Sequence, residues 1–203
     1  MFALGLLGVA FGVAFSIRAA VGTTTISAPP YVVSLVSPLT VGQATIILHV
    51  LMILAQIVIL GRRYQPVQLL QLPIGIAFGV VIDAALWLLR DVHPDGYAES
   101  LLLCAVGIAV MGVGVGLEVV ADVVMLAGEG FIAAICRCWD LEFARVKIVN
   151  DLAHVLAAVV ISLVGLGTVV GVREGTVAAA FLVGMLAGPV IRTLKPRLDA
   201  RLA

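Results

Sequence analysis

The stretch SAPPYVVSLVSP, residues 27–38, is an apolar segment that is far too short to cross a lipid bilayer. The residues between Pro30 and Pro38 number fewer than half of the roughly 20 that a spanning helix needs. Proline has no backbone N–H and fits best in the first turn of a helix, where that group has no intrahelical partner to lose. Pro29 and Pro30 therefore predict a short helix that starts here and covers about residues 30–37.

The rest of the chain consists mainly of apolar runs that are long enough to span a membrane. The 203 residues are 63% hydrophobic and 12% charged, and their mean hydropathy is +1.23. A soluble domain carries about twice that charged fraction. We therefore predict an all-α, polytopic membrane helical bundle, a single integral membrane domain over residues 1–203. The predicted spans are, approximately, residues 2–22, 42–60, 67–89, 101–123, 143–165 and 175–195.

The second half of the chain repeats the order of the first. The segment GFIAAICR, residues 130–137, lies between the fourth and fifth predicted spans, and Gly128 and Gly130 break the chain where the first half has its two prolines. Each half then holds three spans and one short helix, with repeat one at about 1–90 and repeat two at about 100–196. Because three is odd, the second half enters from the opposite side of the membrane. This predicts a 3+3 inverted-topology repeat, the plan of many transporters.

Two placements of the short helices are open at this point. In one, each helix is re-entrant: it begins inside the membrane and ends near a surface, and inverted symmetry brings the two N-termini together near the midplane. A helix N-terminus carries roughly half a positive charge, so such a place favours an anion or a polar oxygen. In the other placement, each short helix lies along the membrane surface.

The basic residues predict that both termini are cytoplasmic. Arg62 and Arg63 follow the second span, and Arg137 lies between the fourth and fifth. On the other side, Arg90 and Arg173 are each next to an acidic residue, so the excess of basic residues falls on the side of the termini. The C-terminal tail adds Arg192, Lys195, Arg197 and Arg201.

Polar residues within the spans are the candidates for a site, because charge is costly in hydrocarbon. Lys147 and Asp151 are four residues apart and share a helix face, which suits either a ligand-contacting surface or a pair that neutralises itself. Glu129 begins the second short helix, as a cap or as a ligand. The first half has milder polar residues: Thr23, Thr24, Thr25, Ser27, Gln43, Thr45, His49 and Gln56. The predicted solute contacts are Thr24, Thr25, Pro29, Pro30, Gln43, Gly128, Glu129, Gly130, Lys147 and Asp151.

A transporter also needs a group that couples movement to an ion. Asp151 and Glu129 are the best candidates for binding a proton or a cation. His49 is a further candidate, because histidine titrates near neutral pH, although a lone histidine in a span can equally be a hydrogen-bonded core residue.

Several functions find no support in the sequence. With 12 basic and 12 acidic residues, nothing indicates nucleic-acid binding. No phosphate-binding loop, metalloprotease helix or nucleophile elbow is present, so we do not expect an enzyme. Cys104, Cys136 and Cys138 are expected to be free thiols, since the last two are too close for an easy disulfide and lack a second pair of zinc ligands. We expect neither a cofactor nor a metal.

Two pairs of glycines suggest close helix packing. Gly75 and Gly79 lie in the third span, and Gly184 and Gly188 lie in the sixth. Small residues four apart let helices approach closely. Packing between the repeats is the favoured interpretation, and a homodimer is the alternative.

GTTTISAPPYVVSLVSPLTVG, QLLQLPIGIAFGVVID, GEGFIAAI and VREGT are the most distinctive stretches of the chain. Together they resemble the bacterial YczE/YitT-like group of small integral membrane proteins, and the resemblance extends over nearly the whole chain. It implies a multi-span protein of the bacterial inner (cytoplasmic) membrane, in a group largely without assigned function. It implies no reaction and no binding residues.

The sequence therefore favours a small secondary transporter or channel-like carrier, embedded in the lipid bilayer. Its solute would be small and either polar or anionic, bound at the midplane between the two short helices. Two alternatives stay open: an accessory or regulatory membrane protein that acts through a partner, and a substrate-capturing subunit of a multi-component transporter.

Overall fold

The protein is almost entirely helical. The computed structural model describes the backbone of residues 1–202 and the side chains of residues 1–196, so the side chains of Arg197 and Arg201 lie outside it. The described backbone contains eight α-helices and no strand. They are α1 (Phe2–Ala19), α2 (Ala28–Val36), α3 (Val41–Leu60), α4 (Gln71–Leu88), α5 (Tyr97–Ala121), α6 (Ala127–Trp139), α7 (Phe143–Leu166) and α8 (Glu174–Leu202).

Six of the described helices are long and apolar enough to cross a membrane. The other two are α2, with 9 residues, and α6, with 13 residues. At 1.5 Å per residue these two are about 14 and 20 Å long, shorter than the roughly 30 Å hydrocarbon core. The prediction of six long and two short helices is confirmed, and the chain is a multi-pass membrane protein.

The helices form two compact units. Unit 1 consists of residues 1–24, 81–123 and 171–203, and unit 2 consists of residues 25–80 and 124–170. Helix α4 begins in unit 2 and ends in unit 1. Each unit therefore takes segments from both halves of the sequence.

Unit 1 is built on a close antiparallel contact between α1 and α5. A Cβ placed on Gly12 would lie 2.6 Å from the Cβ of Met111 and 2.8 Å from the carbonyl oxygen of Gly107. At the other end of the contact, a Cβ on Gly114 would lie 2.8 Å from the carbonyl oxygen of Gly5. Only glycine allows the two backbones to come this close.

We predict that Gly12→Ala lowers the stability of unit 1. The added methyl group would press on the backbone of Gly107, which cannot move aside as a flexible side chain can. Overpacking of this kind costs roughly 1–3 kcal/mol, and each kcal/mol corresponds to about 2–4 °C in a chain of this size. The measurement is thermal unfolding of the purified protein in detergent.

Gly184→Ala is the matched control, because a Cβ on Gly184 would meet no atom within 4 Å. Alanine is also a better helix former than glycine, so the melting temperature of Gly184→Ala should equal that of the parent or be slightly higher. Equal melting temperatures for the two variants would show that the contact between α1 and α5 is looser than described.

The VREGT stretch joins the start of α8 to the end of α1. The guanidinium of Arg173 donates to the carbonyl oxygen of Ala20 at 3.2 Å. The backbone N–H of Gly175 donates to the carbonyl oxygen of Val21 at 2.8 Å. A Cβ on Gly175 would lie 2.7 Å from the same Val21 oxygen. Arg173 thus satisfies a free carbonyl at a helix end, a common role for basic residues.

Unit 2 is built from two helical hairpins. One consists of α2 and α3, and the other of α6 and α7. Each short helix packs against the long helix that follows it and against the long helix of the other hairpin: α2 contacts α3 and α7, whereas α6 contacts α7 and α3.

The contacts at the helix ends give the directions of the helices in unit 2. The thiol of Cys138 donates to the carbonyl oxygen of Ile59 at 3.4 Å, so α6 ends beside the end of α3. Val36 contacts Gly165, so α2 ends beside the end of α7. Because α3 starts where α2 ends and α7 starts where α6 ends, α3 and α7 run in opposite directions. The two short helices therefore also run in opposite directions.

The two glycine pairs differ from the prediction. A Cβ on Gly75 would lie 2.9 Å from Nδ1 of His49, and one on Gly79 would lie 2.6 Å from the carbonyl oxygen of Gly42. This close packing joins α4 to α3 of the same half, and not one repeat to the other. A Cβ on Gly184 or Gly188 would have no atom within 4 Å among the described residues. These two glycines have the same spacing as Gly75 and Gly79 but no close helix against them.

Candidate functional site

The two short helices of unit 2 begin next to each other. Ile26 precedes α2 by two residues, and a Cβ placed on Gly128, in the first turn of α6, would lie 2.6 Å from Cδ1 of Ile26. Ile26 also packs against a buried cluster of Met52, Ile53 and Ala127. We call the place where the helices begin, residues 26–30 and 127–130, the junction. Within the junction, the side chain of Ile26 packs against the start of α6.

The junction lies beside the second half of a long apolar helix, α3. Ala127, the first residue of α6, clusters with Met52 and Ile53, which lie in the middle part of α3 (Val41–Leu60). Since Gln56 of α3 also donates to the carbonyl oxygen of Ala127, α6 begins beside the second half of α3 and ends beside the end of α3. A start beside the inner turns of α3 and an end beside its last turn is the arrangement expected of a re-entrant helix.

Two prolines and one carboxyl group occupy the helix N-termini at the junction. Pro29 and Pro30 are buried in the first turn of α2 and have no N–H to donate. At the start of α6, Glu129 places a carboxyl group in the first turn, and the N–H of Gly130 makes the first hydrogen bond of the helix, to the carbonyl oxygen of Leu126 at 2.9 Å. The junction is therefore a weaker anion site than two ordinary helix N-termini would form.

The charged residues predicted for the site do come together. Nζ of Lys147 lies 3.0 Å from Oδ2 of Asp151, and their side chains are 52% and 19% exposed. Glu129 on α6 is exposed and lies close enough for the charges of both residues to act on it. The group holds two carboxyl groups and one ammonium, a combination that favours a cation or a neutral polar group over an anion.

His49 is not part of this charged group. Its side chain is buried, and its ring stacks on Phe78 with centroids 5.9 Å apart and planes at 4°. Nδ1 faces Gly75 and has no hydrogen-bond partner among the described residues.

Gln43 caps the start of α3. Its backbone N–H donates to Oγ1 of Thr40 at 3.1 Å, and its side-chain Oε1 accepts from the backbone N–H of Thr40 at 3.0 Å. This reciprocal arrangement is a capping box at the start of α3. The side chain is exposed and is engaged in holding the helix end.

The two threonines fall in different units. Thr24 is buried and belongs to unit 1, whereas Thr25 is half-buried and begins the first segment of unit 2. Gly128 and Gly130 are buried in the first turn of α6. Unit 2 thus holds all the predicted solute contacts other than Thr24.

A pair of buried amides supports the junction from α3 and α4. Nε2 of Gln56 donates to Oε1 of Gln71 at 3.0 Å and to the carbonyl oxygen of Ala127 at 3.2 Å. Nε2 of Gln71 donates back to Oε1 of Gln56 at 3.3 Å. A Cβ on Gly130 would lie 2.6 Å from Nε2 of Gln71. Gln56 is conspicuous in the sequence as an amide inside an apolar run, but Gln71 stands at the start of a span and gives no such signal.

We predict that Gln56→Met destabilises the protein and that a second change repairs it. The single variant leaves the buried amide of Gln71 without its partner, which costs roughly 1–3 kcal/mol. In Gln56→Met/Gln71→Met both polar groups are gone, and the melting temperature in detergent should return most of the way to the parent value. A double variant less stable than Gln56→Met would contradict the pairing.

The described residues bring no three metal-binding side chains together. In comparisons with known proteins, residues 1–192 match the Family of unknown function (DUF6198). No curated protein matches, and no solved structure matches.

Proposed function

The chain belongs to this family of unknown function, DUF6198, and we propose that it is a small secondary transporter or channel-like carrier for a small polar solute. The proposed site is the junction together with Glu129, Lys147 and Asp151. The protein acts without a catalytic step or cofactor. Its setting, in this proposal, is that of the YczE/YitT-like proteins it resembles: the bacterial inner membrane, with both termini cytoplasmic.

One observation carries the proposal: two short helices of opposite direction begin next to each other in unit 2, beside the second half of α3. Lipid cannot satisfy broken backbone in a membrane, so such breaks occur where protein or a water-filled path surrounds them. The exchange of contacts between the hairpins, α2 with α7 and α6 with α3, supports an inverted repeat. Transporters built on such repeats bind their solutes where discontinuous helices meet.

The charges at the site narrow the kind of solute. The sequence leaves open a polar or an anionic one. Two prolines without N–H groups in the first turn of α2, and a carboxylate at the start of α6, both weaken attraction for an anion. We therefore propose a neutral or zwitterionic solute, with the excess carboxylate binding a proton or a cation.

The described structure corresponds to a closed form in this proposal. Ile26 is half-buried at the junction and packs against the cluster of Met52, Ile53 and Ala127. Opening requires that Ile26 leave this contact, which small relative movements of the two hairpins can accomplish. Gly128, which has no side chain to hold Ile26 in place, makes that movement easier.

The test is solute flux in liposomes that contain the purified protein. The panel includes small neutral polyols, amino acids and monovalent anions, with protein-free liposomes as the blank. We expect flux of at least one neutral or zwitterionic solute and a weaker or no flux of simple anions. Absence of flux for the whole panel in a folded, correctly inserted protein would overturn the proposal.

A second function is favoured by the packing of the junction. Its centre is apolar, and the amides of Gln56 and Gln71 bond each other, as in a purely structural core. This suits an accessory membrane protein that acts through a partner, or a substrate-capturing subunit of a larger transporter. In both alternatives, flux should appear only when a co-purifying protein is reconstituted with the chain. A carrier that works alone should give flux without that protein.

A further inference from the structure

Three arginines of unit 2 lie at the end of the unit where α3 and α6 both stop. Arg62 and Arg63 follow α3 directly, in a single 3-10 turn. Arg137 lies in the last turn of α6. The hydrogen bond between Cys138 and Ile59 holds these two helix ends together, so residues distant in sequence form one basic surface.

These arginines form no ion pair among residues 1–196. All three are exposed, and the ion pairs of that part of the chain involve other side chains. Arg145 differs from them, since its Nε lies 3.1 Å from Oε2 of Glu142. That contact occupies one of the two acidic residues that follow α6, and Asp140 is the other. Three arginines against one remaining carboxylate leave the surface with an excess of positive charge.

The surroundings of the basic surface are suited to a membrane boundary. The chain after Arg63 forms a second 3-10 segment, Pro66–Leu70, whose Val67, Leu69 and Leu70 side chains are exposed. Trp139, next to the basic surface at the end of α6, is 59% exposed. Exposed apolar side chains, a tryptophan and arginines outside ion pairs occur together where a protein meets lipid headgroups.

We propose that Arg62, Arg63 and Arg137 form a binding site for the headgroup of an anionic phospholipid. Guanidinium groups bind phosphate oxygens through paired hydrogen bonds, and α3 and α6 deliver them from two directions. The apolar side chains of Pro66–Leu70 contact the acyl chains beside the headgroup. The site lies where the re-entrant helix α6 ends, so a bound lipid also fixes that helix against α3. The inference does not depend on transport.

Trp139 provides a direct readout of the lipid at this site. The chain has two tryptophans, so Trp87→Phe leaves Trp139 as the sole tryptophan. The protein is reconstituted in phosphatidylcholine vesicles that contain a minority of phosphatidylglycerol. In parallel samples one lipid or the other carries bromine, which quenches nearby tryptophan fluorescence. The quantity measured is the quenching by phosphatidylglycerol relative to phosphatidylcholine, per mole of each brominated lipid.

We expect this ratio to be about two or more, because each basic residue adds attraction for anionic lipid. In Arg62→Gln/Arg63→Gln/Arg137→Gln it should fall to unity. Arg145→Gln, which removes an arginine already paired with Glu142, should leave the ratio unchanged. A ratio of unity in the parent, or an equal ratio in the triple variant, would overturn the proposal.

Two controls keep the result unambiguous. In the first, unchanged quenching by brominated phosphatidylcholine shows that Trp139 stays at the same depth in the bilayer. If this quenching changes in the triple variant, the single variant Arg137→Gln is used in place of the triple variant. Trp139→Phe leaves only Trp87, whose ring lies 4.9 Å from the guanidinium of Arg90. Arg90 is paired with Asp91 at 3.5 Å, so Trp87 should report no preference for phosphatidylglycerol. An equal preference at Trp87 would mean a general charge effect and would also overturn the proposal.

Discussion

Asp151→Asn is expected to reduce solute flux by about tenfold or more, the factor that corresponds to roughly 1.4 kcal/mol of lost binding. The change removes a carboxylate that lies 3.0 Å from Nζ of Lys147 and is largely shielded from solvent. It leaves an ammonium without its partner and deprives the site of a group that can take up a proton or a cation. Flux in liposomes at matched protein density is the measurement.

A second variant separates a structural ion pair from a functional one. In Lys147→Gln/Asp151→Asn neither charge remains, so any instability caused by an unpaired ammonium disappears. If the pair only stabilises the helix, both the melting temperature and the flux should return. We expect the melting temperature to return and the flux to stay low. Recovery of flux in the double variant would remove Asp151 from the site.

Local rules of sequence account for the parts of the fold that were predicted well. Proline geometry places the start of α2 at Pro29 and Pro30, and hydropathy finds the six long helices within a few residues. The pairing of Lys147 with Asp151 follows from helix periodicity alone. Each of these needs only neighbours in the chain, so no knowledge of the packing is required.

Contacts between distant segments account for what the sequence did not reveal. Gln56 and Gln71 are 15 residues apart, and nothing in either neighbourhood indicates that they meet beside Ala127. The two glycine pairs make the same point, since Gly79 is tightly packed and Gly184 is not, although their spacing is identical. A spacing shows which packing is available, whereas the packing that forms depends on what the neighbouring helix presents.

The capping role of Gln43 follows from a local rule. Thr40-x-x-Gln43 immediately before an apolar run is the pattern of a capping box, and the structure contains that box. A polar residue in the first turn of a helix commonly caps that helix end.

Ile26→Ala is expected to raise passive solute leak through the protein by about tenfold, because the side chain that fills the junction is shortened. The cost in stability should be below the roughly 2–5 kcal/mol typical of fully buried isoleucine, since Ile26 is half-buried. Ile47→Ala is the matched control: the side chain is 46% exposed on α3 and lies outside the junction. Its leak should equal that of the parent.

A cysteine at the same position tests whether water reaches the junction. Cys104, Cys136 and Cys138 are first replaced, after which Ile26→Cys carries the sole thiol. If the junction opens during transport, a membrane-impermeant maleimide should label the new thiol slowly, and a transported solute should change the rate. Ile47→Cys, in lipid, should stay unlabelled. A thiol at position 26 that never reacts in the native protein, together with unchanged leak in Ile26→Ala, would mean that the junction is a permanently closed core. The two short helices would then serve the architecture of unit 2, and the carrier proposal would fail at its central step.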